Sequence, residues 1–395
     1  RKTVSNLKIR VSYGLAGNDA LGERFPYRSI VAMGEESGFY YNWNSQGKGP
    51  KITTYGNPNA TWEEAKKLDV GLELGLFNAL NIEAAYFTED RTGIFMRRTS
   101  LPSSTGLLGV TPYGNIGRVK SHGVDLSAVY NKQFNKDWSL SLRGTFTFSR
   151  NEVVEKDEGD LMYDYMSVVG HPVNAITGVL VADGLFTSQE EIDNSPKQQF
   201  GNYTVGDIKY RDINGDGVVN TFDQVAIGYT TVPEINYGFG VSLGWKGLDV
   251  SVFFSGVGHV TRIIGGYNLY GGASNYIRQG QIFADVAKNR WSLANPDPNA
   301  KYPRMSTTRM ENNLQKSTYW QRDMSFLRLK NAEIGYTLPK AWTKKAGLST
   351  VRFYLQGVNL LTFSDFDLWD PELEADYGNQ YPTVRTVTLG VNLNF

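Results

Sequence analysis

The last residues of the chain alternate strictly. Val387, Leu389, Val391, Leu393 and Phe395 are apolar, and Thr386, Thr388, Gly390, Asn392 and Asn394 between them are polar or small. Period-two alternation is the pattern of a strand with one face in an apolar medium and the other in a polar one. The pattern recurs at Tyr237, Phe239, Val241, Leu243 and Trp245, crosses Lys246-Gly247, and returns through Leu248, Val250, Val252 and Phe254, which predicts a tight hairpin. A second hairpin pairs Val70, Leu72, Leu74 and Leu76 with Leu80, Ile82, Ala84 and Tyr86 around Asn78. Two more join Val124–Tyr130 to Leu140–Phe148 and Ile334–Leu338 to Val351–Leu355.

Ten strands are predicted near 3–16, 64–77, 79–98, 114–130, 138–151, 234–245, 248–261, 322–338, 349–363 and 383–395. The connections keep a two-beat rhythm. Those at 78, 131–137, 246–247 and 339–348 are short, whereas 17–63, 99–113, 152–233, 262–321 and 364–382 are long. Short turns on one side and long loops on the other match an all-β, antiparallel transmembrane β-barrel with short periplasmic turns and long extracellular loops. The final strand follows a long loop, so its end is expected in the periplasm. Ten strands that start and end on that side either close alone or form the second portion of a larger barrel.

Composition narrows the class. No run of 18 apolar residues exists, so a transmembrane helix is excluded. Aromatic residues at 13% and 42 glycines suit a barrel wall. The 40 basic and 40 acidic residues cancel and are spread out, which argues against nucleic acid as a partner. No cysteine is present, so neither a disulfide framework nor a thiolate metal site exists. His122, His171 and His259 lack metal-ligand spacing, and no nucleophile elbow or carboxylate pair stands out, so the expectation is not an enzyme. Arg1 opens the chain without a leader-type apolar run, which predicts a processed or truncated product.

The loop at 152–233 contains one chemical motif, within the segment 200–233. Asp212, Asn214 and Asp216 at positions 1, 3 and 5, Gly217 at 6, Val218 at 7, Asn220 at 9 and Asp223 at 12 follow the spacing of a calcium loop. The side chains of Asp212, Asn214 and Asp216, the Val218 carbonyl, Asn220 and Asp223 would together offer the many oxygens that a hard cation takes. Asp223 has a shorter arm than the usual glutamate, and no second loop of this kind is present. The expectation is one structural Ca2+ site. The alternative is an Asn/Asp/Gly turn that needs no ion.

The run Val205-Gly206-Asp207-Ile208-Lys209-Tyr210-Arg211-Asp212-Ile213-Asn214-Gly215-Asp216-Gly217, then Ile227-Gly228 and Pro233, resembles a signature of the SusC/RagA-type TonB-dependent outer-membrane transporters of Bacteroidota. Thr61-Trp62-Glu63, Tyr113 to Gly117, Gly123 to Leu126, Phe326 to Asn331, Gly335 to Pro339, Asn359-Leu360 and Phe395 fit the same family in order along the chain. The resemblance implies a barrel of about 22 strands with a plugged lumen. This chain would be its C-terminal portion over 1–395, about ten strands, with the plug and N-terminal strands lying outside it. It further implies TonB-dependent active uptake of an oligosaccharide or peptide, coupling to the TonB complex, a SusD-type lipoprotein lid, and a multi-pass location in outer-membrane lipid. Alternatives from other classes are a passive ten-stranded pore, a barrel-based surface adhesin, and a secreted β-protein with a dockerin-like loop.

Two loop features remain open at this level. Tyr40, Tyr41, Trp43, Tyr267 and Tyr270 either stack on a ligand or pack beneath loops and in interfacial girdles. The acidic run Asp365, Asp367, Asp370, Glu372, Glu374 and Asp376 is expected to be a solvated loop.

Overall fold

In the computed structural model, residues 3–22, 24–41, 45–107, 110, 112–270 and 282–395 are described. Ten strands form one antiparallel sheet in strict sequence order. They are β1 (Val4–Asn18), β2 (Glu63–Leu76), β3 (Leu80–Arg97), β4 (Tyr113–Gln133), β5 (Trp138–Glu155), β6 (Ile235–Trp245), β7 (Leu248–Gly258), β8 (Phe326–Thr337), β9 (Thr350–Phe363) and β10 (Thr386–Asn394). All ten expected strands are present. Among the described residues β1 and β10 do not pair with each other, so the sheet is open. No helix among these residues is long and apolar enough to cross a membrane.

The register shows why the alternation exists. Leu7, Ile9, Val11 and Tyr13 of β1 lie opposite Leu74, Leu72, Val70 and Leu68 of β2. Directly opposed residues share a face, and the apolar row continues through Phe239 opposite Phe254 on β6 and β7. The other face is polar. There Lys8 bonds Glu73 at 2.9 Å, Lys67 meets Glu89 at 3.2 Å, and Arg352 joins Asp249 and Glu333 across three strands. Arg143 lies over the Phe253 ring at 4.2 Å. Glycines make room on this face. A Cβ at Gly390 would meet the Tyr354 ring at 2.3 Å, so a large inward side chain lies flat across its neighbour's bare backbone.

The short connections obey local chemistry. Lys246 and Gly247 both have positive φ, 47° and 88°, as a two-residue type I′ turn requires. Phe77 and Asn78 make the turn between β2 and β3 with φ of 55° and 52°. Trp138 and Trp245 stack at 5.6 Å beside the turns, in the position of an interfacial aromatic.

Three details differ from the periodicity. The strand expected to reach 261 stops at Gly258, because His259 takes φ of 54° and breaks the ladder. Pairing resumes beyond the break, between Thr261–Ile263 and Gln321–Asp323, which are therefore separate from β7 and β8. The first long loop contains a hairpin, Ile30–Tyr41 with Ser45–Thr54, and the β8–β9 connection contains a helical turn at Lys340–Thr343. Neither carries a periodic signal long enough to read.

Opposite faces should respond differently to charge. Phe239→Arg places a cation on the apolar face and is expected to cost about 2–4 kcal/mol near the bilayer midplane, whereas Ser251→Arg on the polar face is tolerated. Urea unfolding of the intact barrel, followed by heat-modifiable gel mobility, checks the contrast.

Candidate functional site

The buried core lies in the loops rather than in the wall. Leu180, Ile208, Tyr210, Ile264, Trp320 and Phe366 belong to one hydrophobic cluster drawn from three long loops. A disordered cap is thereby excluded for these segments. Most polar groups inside this cluster are paired, as burial demands, and the fully buried Ser317 Oγ is an exception. Asp207, fully buried, accepts from Thr204 N at 2.8 Å and from Asn313 Nδ2 at 2.8 Å, and Arg304 approaches it at 2.9 Å. Asn313 in turn accepts from Ile208 N at 2.9 Å, and its carbonyl takes the Trp320 indole N–H at 2.9 Å. Gln198 Nε2 donates to Asn312 at 2.7 Å. Loops about a hundred positions apart in sequence are thus joined into one body.

The glycine-aspartate motif acquires a physical reason. Gly206 has φ of 86°, and a Cβ there would lie 2.3 Å from Trp291. Only glycine lets the backbone pass the indole, and that passage sets Asp207 against Arg304 and Asn313.

The Asp212–Asp223 loop is closed by its own amides. Asp212 accepts from Gly215 N at 2.7 Å and Gly217 N at 2.8 Å, and Asp216 accepts from Val218 N at 2.8 Å. Asn214 accepts from Asp216 N at 2.9 Å. Asp223 is fully buried and takes three N–H groups, from Ile213, Asn214 and Asn220. With Asn220 it forms a capping box on the turn Thr221–Asp223. Among the described residues no group of three or more His, Asp or Glu side chains is gathered as a metal cage. Tyr163 and Tyr165 stack beside the loop at 5.2 Å, and Tyr165 Oη donates to the Phe222 carbonyl.

The acidic run is solvated only in part: Asp365, Asp367 and Glu374 are exposed, but most of the run is tied into ion pairs. Asp370 pairs with Arg328, which is 2% exposed, and Glu372 reaches Arg328 at 3.2 Å and Lys330 at 2.9 Å. Asp376 and Glu374 grip Arg262 at 3.1 and 3.5 Å, and Asp367 meets Lys301 at 3.2 Å. The run is a strap that ties the last loop to its neighbours. Its partners are far away in sequence, so charge spacing alone gave the wrong expectation.

Of the loop aromatics, Tyr270 packs edge-on against Trp320 at 4.8 Å and is partly buried. Trp43 and the side chains of Tyr40, Tyr41 and Tyr267 lie outside the described residues. His259 stacks on Tyr229 at 4.1 Å and bonds Glu234 at 3.1 Å, a satisfied histidine.

Two recesses adjoin the loop body, one against the wall and one among the loops. One, of about 700 Å³, is bounded by β3–β5 and the segment 168–177. The other, of about 480 Å³, lies between Ile263–Gly266, Tyr270, Lys316 and Tyr377, and shares Asn174 and Ala175 with the first. Sequence reading did not find these recesses, since their linings come from residues up to about 90 positions apart in the first and about 200 in the second, with no common motif.

An antiparallel sheet with one apolar and one charged face, tight turns at one end and a packed loop body at the other, is outer-membrane β-barrel wall. The family model "TonB dependent receptor-like, beta-barrel" matches residues 3–360, and the chain belongs to that family. It is 30% identical to TonB-dependent receptor P3 of Formosa agariphila, over all of this chain and 40% of that protein. It is 22% identical to TonB-dependent receptor SusC of Bacteroides thetaiotaomicron, over 99% of this chain and 38% of that one. The fold superposes on the RagAB peptide transporter with a TM-score of 0.73 at 24% identity, covering 99% of this chain and 41% of the other. The chain therefore spans about 40% of the length of the curated relatives it matches.

Two outcomes test the loop body. Asp223→Ala leaves three amides without their acceptor and is expected to cost about 1–3 kcal/mol, against less than about 1 kcal/mol for Asp216→Ala, read as faster proteolysis within 200–233. Glu191 is held down to about 2, below its ordinary 4.5, chiefly by the Lys209 ammonium, with Thr187 N–H and Oγ1 assisting. A depressed carboxyl stabilises above its unfolded value and loses that contribution as pH falls. Protection around residues 187–209 should therefore weaken between pH 4.5 and 2, and Glu191→Gln should remove that dependence.

Proposed function

We propose that the chain is the C-terminal barrel portion of a transporter that takes up an oligosaccharide or peptide across the outer membrane with energy from TonB. The supporting observation is the open sheet. Both edge strands carry exposed apolar rows, with Ile9 68% and Leu389 78% exposed, and unpaired backbone on their outer sides. Backbone groups in hydrocarbon must be paired, so further strands close the wall. In this reading they belong, with the plug and the TonB-contacting segment, to sequence outside this chain. The short turns and the end of β10 face the periplasm, the loop body faces outward, and a SusD-type lipoprotein covers it. The likeness to the RagAB peptide transporter and to SusC supports the same assignment.

Uptake by cells expressing the intact protein should vanish when TonB is deleted and persist when it is restored. Uptake indifferent to TonB, together with steady conductance of the purified protein in liposomes, would replace the transporter by a passive pore.

We further propose that the 212–223 loop takes one Ca2+. The donors fit in type and spacing: Asp212, Asn214 and Asp216 offer side-chain oxygens at the open side of the loop, next to the Val218 carbonyl and Asn220. Asp223 fits less well, because it is fully buried and its two oxygens accept three amide protons, some of which it would have to release to join. Terbium luminescence should report one site that disappears in the Asp212→Asn/Asp216→Asn double variant. Because the amide network closes the loop by itself, a chelator should leave its protease resistance unchanged. Absence of any terbium signal would refute the ion.

A further inference from the structure

The larger recess has a lining whose chemistry selects among nutrients. Its floor is the inner face of β3–β5 near their loop ends, where register shifts lie between Arg91 and Ile94 and between Arg118 and Val119. The bulge after Arg91 turns Ile94 and Met96 onto a face that is otherwise polar, and Val119 and Val153 lie there in phase with Ser121 and Asn151. Ile94, Met96, Val119, Val153, Val168 and Val173 all border the space, and among the described residues no aromatic does. The roof is tied down. Val153 N donates to the His171 carbonyl at 2.9 Å, Gly170 N to the Val153 carbonyl at 2.8 Å, and Val173 N to Asn151 Oδ1 at 2.7 Å.

The charges around the space are unequal in their freedom. Glu89 and Arg91 satisfy each other at 2.9 Å. Glu155 meets Arg118 at 3.4 Å, and Arg118 is itself held by Asp90 at 2.7 Å. Lys156 is exposed and makes no ion pair among the described residues. The recess therefore offers an aliphatic surface, the amide and hydroxyl groups of Asn174 and Ser121, and one uncommitted cation.

We propose that this recess binds a short peptide with aliphatic side chains, its carboxylate directed at Lys156. A sugar ring is best matched by a flat aromatic platform with planar polar groups around its rim, and this lining provides branched aliphatics in place of the platform. Each aliphatic side chain withdrawn from water favours binding, and a volume near 700 Å³ is within the range of ligand pockets. This assignment rests on the uptake reading above and specifies its substrate class.

The test uses the intact purified transporter with its native lid, and reads binding separately from uptake. The probes are a set of Val-, Leu- and Ala-rich pentapeptides with free C-termini, the same peptides amidated, and a neutral glucose hexasaccharide. The free-acid peptides should bind and the hexasaccharide should not. Amidation and Lys156→Glu should each weaken binding by about tenfold, the factor for one charge-assisted hydrogen bond, and should not add when combined. Ser121→Trp, which fills the recess, should abolish binding, while Ser242→Trp near the turn end of the inner wall leaves it intact. Unchanged heat-modifiable mobility shows that each variant has folded. Binding of the hexasaccharide in place of peptides, binding of neither, or peptide binding indifferent to Lys156→Glu and Ser121→Trp would each overturn the assignment. Peptide binding without TonB-dependent uptake would leave the recess standing and sink the transporter reading.

Discussion

A strand that crosses hydrocarbon must pass every backbone N–H and C=O to a neighbouring strand, because no water is there to receive them. Most of this molecule follows from that requirement. It orders the ten strands β1 to β10 as unbroken neighbours, each antiparallel to the next. It forces their side chains to alternate between lipid and interior, so the apolar rows of Leu7 to Tyr13 and Val387 to Leu393 are solvent for the membrane rather than a core. The interior face is left to charge networks such as Arg352 with Asp249 and Glu333, and to large side chains laid across glycines.

A wall built this way buries little of its own, and the loops supply what it lacks. Three loops gather Leu180, Tyr210, Ile264 and Trp320 into a hydrophobic cluster of the kind that soluble domains use. Burial there brings polar groups with it, and the charged ones are paired: Asp207 with Arg304 and Asn313, and Arg328 with Asp370 and Glu372. The molecule thus has two kinds of order. One is set by lipid along the strands, the other by water exclusion within the loops, and the larger recess lies where they meet.

The strand pattern was legible almost completely, because alternation is a local property that each strand displays alone. The errors are local too. His259 with its left-handed backbone ended β7 early, and the hairpin from Ile30 to Thr54 lacked a readable period. The loops were legible only where a motif compresses chemistry into a few residues. The Asp212–Asp223 spacing was readable as a calcium-type loop, but its amide network, with Asp223 as the internal acceptor, depends on backbone directions that spacing does not encode. The acidic run of the last loop misled for the opposite reason. Its composition suggests a solvated segment, whereas its partners Arg262, Lys301 and Arg328 come from other elements.

By itself the sequence determined the strand count, the two faces of the wall, the short-turn and long-loop rhythm, and through its ordered motifs the family. Each of these depends on near neighbours along the chain or on periodicity. Only the tertiary structure decided that the loops form a packed body, that Gly206 must be glycine because Trp291 lies against it, and that aliphatic side chains of β3–β5 and the segment 168–177 line a recess. Those features depend on contacts between distant segments, and no local pattern records which segments will meet.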